Sequence, residues 1–307
     1  MKQDFLSITD LSPGEIMQLI QTAHELKHER KEEYFPRARL DGKIMAMIFE
    51  KPSLRTKLSF DIGMFELGGH TVTFQGQEIG LDTRESVKDV AKVLSTMAHI
   101  LVVRTFTHEQ IVEFAQNASV PVINALTDLE HPCQVLADLM TIWEIKKTLT
   151  GLKICYLGDG KNNMAHSLML GTTQLGMHFS LATAKKYFPD RKITNQAQKI
   201  AQKNQVNLRF FIDPQKAIQG AHVVITDTWI SMGDAIKDRL EDLRPYQVNH
   251  QLMQLAKNDA LFLHCLPAQR GNEVTSEVIG GSQSCIITEA ENRLHIQKAL
   301  LLHLLGK

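Results

Sequence analysis

Cysteine, tryptophan and any excess of one charge are all scarce in this 307-residue chain. The four cysteines, at 133, 155, 265 and 285, form neither a CxxC pair nor a regular spacing. That excludes a disulfide framework and a cysteine-based zinc module, and predicts a reducing, cytoplasmic setting. Thirty-four Lys and Arg balance 34 Asp and Glu, so the basic footprint of a nucleic-acid binder is missing. No stretch reaches about 18 uninterrupted apolar residues, which argues against a membrane-spanning helix. The opening MKQDFLSITDLSPGEIMQLI carries charges at Lys2, Asp4, Asp10 and Glu15 and lacks the apolar centre of a secretory signal.

What is present is ordinary globular material. Hydrophobic residues make up 43% of the chain and charged ones 22%, enough for a sizeable core and too apolar for disorder. At roughly 100–200 residues per domain, the length predicts two domains. Short apolar runs alternate with helical patterns. The strand candidates are 44–49, 71–74, 100–104, 121–124, 152–157, 177–182, 206–211, 222–226 and 261–264. Helical periodicity covers 16–27, 55–67, 86–97, 109–115, 133–147, 164–175 and 194–203. Several apolar runs are continuous, as in strands covered on both faces, and the order predicts βαβ units around parallel sheets. A hinge is expected at 146–151. The fold class is therefore α/β: two doubly wound parallel-sheet domains with a cleft between them. A final apolar-sided helix, 290–305, needs a partner surface.

Several strand exits carry polar chemistry. Lys51-Pro52-Ser53-Leu54-Arg55-Thr56-Lys57 follows the first run. Ser53 is placed to cap a helix starting near Leu54, whose open N–H groups and positive dipole end would face an anion. Arg55 and the hydroxyls of Ser53 and Thr56 complete a phosphate cradle, although a solvated basic turn fits the same spacing. The GxxxxGK[ST] nucleotide loop is absent. Arg104 ends another run, where a guanidinium suits a phosphate. His131-Pro132-Cys133-Gln134 opens a further helix, with Pro132 suited to its first turn. His131 and Gln134 project to one side and can polarise a carbonyl, with Asp138 a turn beyond; a capping histidine is the plain alternative.

The second half repeats the theme. Gly158-Asp159-Gly160-Lys161-Asn162-Asn163 opens a helix without being a GxGxxG fingerprint. Its asparagines either cap that helix or meet a polar ligand. Asp227, at a strand exit, suits an ammonium group, and Trp229 reads as packing. Cys265 ends another run, where it is either a ligand contact or an inert buried thiol. Glu291-Asn292-Arg293 supplies one more guanidinium near the final helix.

FEKPSLRTKLSF at 49–60, HPCQVLADLMT at 131–141, DTWISMG at 227–233, HCLPA at 264–268 and ENRLH at 291–295 together resemble ornithine carbamoyltransferases of the aspartate/ornithine carbamoyltransferase superfamily, over essentially the whole chain. The resemblance implies a carbamoyl-phosphate domain over 1–147 and an ornithine domain over 148–307, with 290–307 packing back on the first. It implies that Ser53, Leu54 through its backbone N–H, Arg55, Thr56 and Arg104 hold phosphate. His131, Gln134, Cys265, Leu266 and Arg293 would surround the carbamoyl group, and Asn163, Asp227, Ser231 and Met232 the ornithine. Arg55, Arg104, His131, Gln134, Cys265 and Arg293 form the implied catalytic set. The implied reaction carries the carbamoyl group of carbamoyl phosphate to the δ-amine of L-ornithine, with no metal and no cofactor. Active sites would lie between subunits of a homotrimer or a larger assembly of trimers. Carbamoyl transfer to putrescine, aspartate or an acylated ornithine, and a non-catalytic regulatory relative, are the competing readings. Three positions depart from the family pattern. Its usual Ser-Thr-Arg-Thr-Arg reads Ser53-Leu54-Arg55-Thr56-Lys57 here, and Gly80 stands where many relatives have a glutamine, with Gln77 the nearest substitute.

Overall fold

Unbroken apolar runs become interior strands, and the helices between them cover both faces. The computed structural model describes residues 2–32, 38–81, 83–230 and 236–306. It divides into one unit of Met1–Met140 with Glu291–Lys307, and a second of Thr141–Ala290. Unit 1 contains α1 (Pro13–Glu32), β1 (Ile44–Phe49), α2 (Leu54–Glu66), β2 (His70–Gln75), α3 (Gly76–Ile79) and α4 (Val87–Met97). It continues with β3 (Ile100–Arg104), α5 (His108–Asn117), β4 (Val122–Leu126) and the start of α6 (Pro132–Lys146). Unit 2 holds β5 (Lys153–Leu157), α7 (Asn163–Gln174), β6 (His178–Ala182), α8 (Arg191–Lys203), β7 (Leu208–Phe211) and α9 (Pro214–Ile218). It goes on through β8 (Val223–Ile225), α10 (Ile236–Leu243), α11 (His250–Met253), β9 (Leu261–Leu263) and α12 (Ser276–Ile279). The last helix, α13 (Ile286–Leu304), passes from unit 2 back into unit 1.

Both sheets are wholly parallel, in the orders β2-β1-β3-β4 and β7-β6-β5-β8-β9. Each order reverses once, between β1 and β3 in unit 1 and between β5 and β8 in unit 2. At such a reversal the connecting helices leave to opposite faces, so the strand C-termini open a crevice there. Ile48, Val103, Phe114 and Val122 are fully buried in the core of unit 1. Leu157, Val224 and Phe262 hold the same position in unit 2. Each such side chain contributes about 1.5–3 kcal/mol when withdrawn from water. The β4 edge of unit 1 is not left bare: Phe5 donates to Val122 and accepts from Asn124 at 2.9 and 2.8 Å.

Every expected strand forms, with ends shifted by two residues at most. The 206–211 run shortens to Leu208–Phe211, because Gln205 takes a left-handed φ of 56°. The 133–147 helix stops at Lys146, since Lys147 is left-handed, with φ 59°. The final helix begins at Ile286, ahead of the expected 290. The short helices α9 to α12 carry too few residues for a periodic signal and had no counterpart in the sequence pattern.

Charged groups pin α13 into unit 1. Glu66, at the end of α2, accepts from Lys298 at 2.7 Å and Arg30 at 2.6 Å. The side chains of Glu66 and Lys298 are only 8% and 3% exposed. Lys27 of α1 also donates to Asn292 at 2.7 Å. Removing one partner of a buried pair strands the other charge, at a cost of about 3–5 kcal/mol. Glu66→Ala should therefore lower unfolding stability by about that much, and the double variant Glu66→Leu with Lys298→Met should recover most of the loss. Urea midpoints for the three proteins check this.

Candidate functional site

In unit 1 the candidate residues leave the C-terminal ends of β1, β3 and β4. The exits of β1 and β3 are fastened together: the Glu50 N–H donates to the Arg104 carbonyl at 2.9 Å, and the Thr105 hydroxyl donates to the Glu50 carboxylate. Between Val103 and Arg104 the pairing with β4 slips, so that Arg104 faces Leu126 instead of the next residue in register. Such a bulge re-aims the side chain at a strand end.

Ser53 occupies the N-cap position of α2 with extended φ and ψ of −154° and 110°, but its hydroxyl makes no capping bond. That corrects the expected cap and leaves the hydroxyl outside the helix's own hydrogen bonding. Leu54 is 75% exposed, so what it offers the site is its N–H in the first turn. Lys57 is exposed too, and Arg55 is half-buried.

Arg293 of α13 ties the starts of two helices together. One guanidinium nitrogen donates to the Gln134 side-chain oxygen at 2.8 Å, and another to the Thr56 hydroxyl at 2.5 Å. Gln134 in turn donates to Asp138 at 2.8 Å, the internal anchor expected from their one-turn spacing. These partners settle the amide's orientation, because Arg293 only donates and the Asp138 carboxylate only accepts. His131 lies beside this chain, 4% exposed, and its carbonyl accepts from Gln134 and Val135 as α6 begins. Burial, then the charges of Arg293, Arg104 and Arg55, hold its imidazole well below the ordinary histidine range. At neutral pH it is therefore an uncharged ring within reach of three guanidinium fields. Cys133, next in sequence, is buried, donates to the Asn124 carbonyl at 3.3 Å, and is pushed up to about 12 by burial. It is an inert thiol.

Gly80, the family departure, ends α3 in the left-handed region, with φ 69° and ψ 48°. A Cβ there would lie 3.0 Å from the Arg84 side chain, so this turn demands glycine. Gln77 is exposed on α3.

Unit 2 gathers its candidates at β5, β8 and β9. Asp227, 8% exposed, follows β8. Its carboxylate accepts from the Asn162 side chain at 2.9 Å and from the Cys265 thiol at 3.1 Å. Asn162 also caps α7, accepting from the Met164 N–H at 2.7 Å. It thus takes the capping role left open for the asparagine pair, while Asn163 stands half-buried in the helix's first turn. Gly158 permits the close approach of these exits: its φ is 129° and a Cβ would lie 2.8 Å from the Trp229 ring nitrogen. Trp229 is 2% exposed and belongs to the core, as read from the sequence.

After β9, His264 is spent on structure. Its Nδ1 accepts from the Leu266 N–H at 2.9 Å, which leaves Nε2 to donate to Glu273 at 3.2 Å. That holds Leu266 at a left-handed φ of 58°. Asp227, His264 and Cys265 converge closely enough to suggest a metal site, but both imidazole nitrogens are committed. Tyr156 sits just before the β5 exit, fully buried, with a hydroxyl that has no hydrogen-bond partner among the described residues. Burial, then the charges of Asp227 and Asp159, raise its phenol well above the ordinary tyrosine range. Ser231 and Met232 lie outside the described residues.

Arg55, Thr56, Arg104, His131, Gln134 and Arg293 thus come together in unit 1, and Asp227 and Cys265 come together in unit 2, with Leu266 next in the chain. Sequence reasoning missed Asn162 as the partner of Asp227. The pairing crosses from one strand exit to another, and a strand-exit asparagine ahead of a helix was the available signal.

Comparison with known proteins gives a consistent family. Residues 3–144 match the aspartate/ornithine carbamoyltransferase carbamoyl-P binding domain, and residues 150–304 match the Asp/Orn binding domain. A protein of Anoxybacillus flavithermus named ornithine carbamoyltransferase is 48% identical, over 99% of this chain and 96% of its own. One of the same name from Carboxydothermus hydrogenoformans is 47% identical, over 99% and 98%. The solved ornithine carbamoyltransferase of Pyrococcus furiosus superposes with a TM-score of 0.96 at 43% identity, covering 99% of this chain and 97% of that one.

A histidine whose proton is disfavoured in the fold costs stability only where the unfolded chain would bind that proton. Below the unfolded value near 6.5, wild-type stability should therefore fall by up to ~1.4 kcal/mol per pH unit relative to His131→Gln, and above it the two curves should run parallel. Chemical denaturation of both proteins between pH 5 and 8 checks the difference in slope.

Proposed function

The chain belongs to the aspartate/ornithine carbamoyltransferase family, and from that premise we propose that it transfers the carbamoyl group of carbamoyl phosphate to the δ-amine of L-ornithine, giving L-citrulline and phosphate. The observation carrying this reading is the buried His131 set beside Arg55, Arg104 and Arg293, with Arg293 bound to both Gln134 and Thr56. A site of that kind takes a phosphorylated carbonyl compound: cations for the phosphate, and an uncharged N–H donor for the carbonyl oxygen. Residues 1–147 are read as the donor-binding part and 148–307 as the acceptor-binding part, with 290–307 returning to the first.

In this proposal the first turn of α2, from Ser53 through Thr56, holds the phosphate with Arg55 and Arg104. His131, Gln134 and Arg293 orient the carbamoyl group, and Cys265 and Leu266 border it. Asp227 anchors the ornithine α-ammonium, Asn163 meets the carboxylate, and backbone groups of Ser231 and Met232 complete the pocket. The neutral δ-amine attacks the carbamoyl carbon, and the guanidinium groups with His131 stabilise the oxyanion of the tetrahedral intermediate. The carbon–oxygen bond to phosphate then breaks, and the departing phosphate takes the amine's proton. No electrons change hands and no covalent enzyme intermediate is required. The Cys265 thiol, donating to Asp227, fits a role in orienting that carboxylate.

A homotrimer, alone or in a larger assembly, is proposed from the family resemblance; Leu54, Leu58 and Phe65, all more than half exposed along α2, are consistent with burial against another chain. A cytoplasmic location is proposed from the four free thiols.

The untagged protein, given carbamoyl phosphate with ornithine, putrescine, aspartate or N-acetylornithine separately, should make product only with ornithine. A preference for another acceptor overturns the substrate assignment. Arg55→Ala should lower kcat/KM for carbamoyl phosphate by about 10²-fold or more, with the ornithine KM little changed. Unchanged turnover contradicts the phosphate role.

A further inference from the structure

Helix α1 carries a feature that carbamoyl transfer does not use. The segment His24-Glu25-Leu26-Lys27-His28 places two imidazoles one turn apart, with a glutamate beside the first. The helix is firmly seated: Ala23, Leu26 and Lys27 are buried, and Lys27 is held by Asn292 at 2.7 Å. The histidines stand on the outer side, His24 half-buried and His28 exposed. Their rings meet edge to face with centroids 4.5 Å apart, and the two Nε2 atoms converge to 3.2 Å.

That separation suits a metal ion. With metal–nitrogen bonds of about 2.0–2.1 Å, two nitrogens 3.2 Å apart subtend an angle of about 100°, close to tetrahedral. In the metal-free pair one Nε2 must carry a proton and the other a lone pair. Moving the one proton to Nδ1 of the same ring presents two lone pairs with no change of charge. We propose that His24 and His28 form a two-histidine site for a late first-row divalent cation such as nickel, copper or zinc.

The spelling H-E-x-x-H also belongs to zinc peptidases, where the glutamate acts as base and a third protein ligand completes the site. Among the described residues, the one group of three metal-capable side chains is Asp227, His264 and Cys265, none of them on α1. Counted over the described residues, the α1 site has two protein ligands, with water completing the shell. It binds and stiffens the helix, and it is not a hydrolase.

Untagged full-length protein titrated with Ni²⁺ in a calorimeter should show saturable one-to-one binding. His28→Ala and His24→Ala should each weaken it by about tenfold or more, one metal–nitrogen bond being lost, while carbamoyl-transfer activity stays at the wild-type level. With Cu²⁺, the electron paramagnetic resonance spectrum should show coupling to two imidazole nitrogens. The thermal midpoint should rise with Ni²⁺ in the wild type and not in the double variant. Binding that survives loss of both histidines, or that disappears on Cys265→Ser alone, overturns the proposal.

Discussion

Arg293 donates to Thr56 in the first turn of α2 and to Gln134 in the first turn of α6. Those partners are 237 and 159 positions away in the chain. Everything proposed for the donor half depends on that bridge. It requires α13 to return to unit 1, and the buried Lys298–Glu66 pair with Lys27–Asn292 supplies the fastening. Burying charge is expensive, so this helix is held by interactions whose loss is felt twice, once in stability and once in the placing of a guanidinium. Burial first, and then this concentration of positive charge, suppress protonation of His131, leaving it an N–H donor of no net charge.

Unit 2 uses the same architecture with the opposite sign. Its strand order also reverses beside the central strand, and the loops leaving β5, β8 and β9 converge on the carboxylate of Asp227. Among the described residues, the groups that touch Asp227, an amide and a thiol, carry no positive charge. They orient the carboxylate without neutralising it, so its charge is left for an ammonium group. One sheet prepares a cationic surface and the other an anionic one, which is the division that an acyl phosphate donor and an amine acceptor require.

Much of this was legible from the sequence, for physical reasons. Runs such as Ile44–Phe49 and Ile100–Arg104 are covered on both faces, and continuous burial leaves a continuous apolar signature. Residues at strand exits were readable because parallel topology dictates where exits point. The rest depended on partners far apart in the chain. No spacing rule joins Asn162 to Asp227, or Arg293 to Thr56. The bulge at Arg104 is a register slip between two strands and leaves no local mark. The missing Ser53 cap shows the same limit, since residue type fixes what a hydroxyl can do and the surrounding backbone fixes what it does. His264 looked like part of a motif, whereas its two nitrogens serve to shape the turn that follows it.

The central claim is that burial, reinforced by guanidinium groups delivered from three separate elements, holds His131 uncharged. Nitrogen-15 NMR of imidazole-labelled protein, titrated alongside an Arg293→Met variant, reads that protonation directly. The wild-type ring should remain neutral well below pH 6.5, and the variant should take up its proton at a distinctly higher pH. A wild-type His131 that titrates near 6.5, with no displacement when Arg293 is removed, would contradict the account.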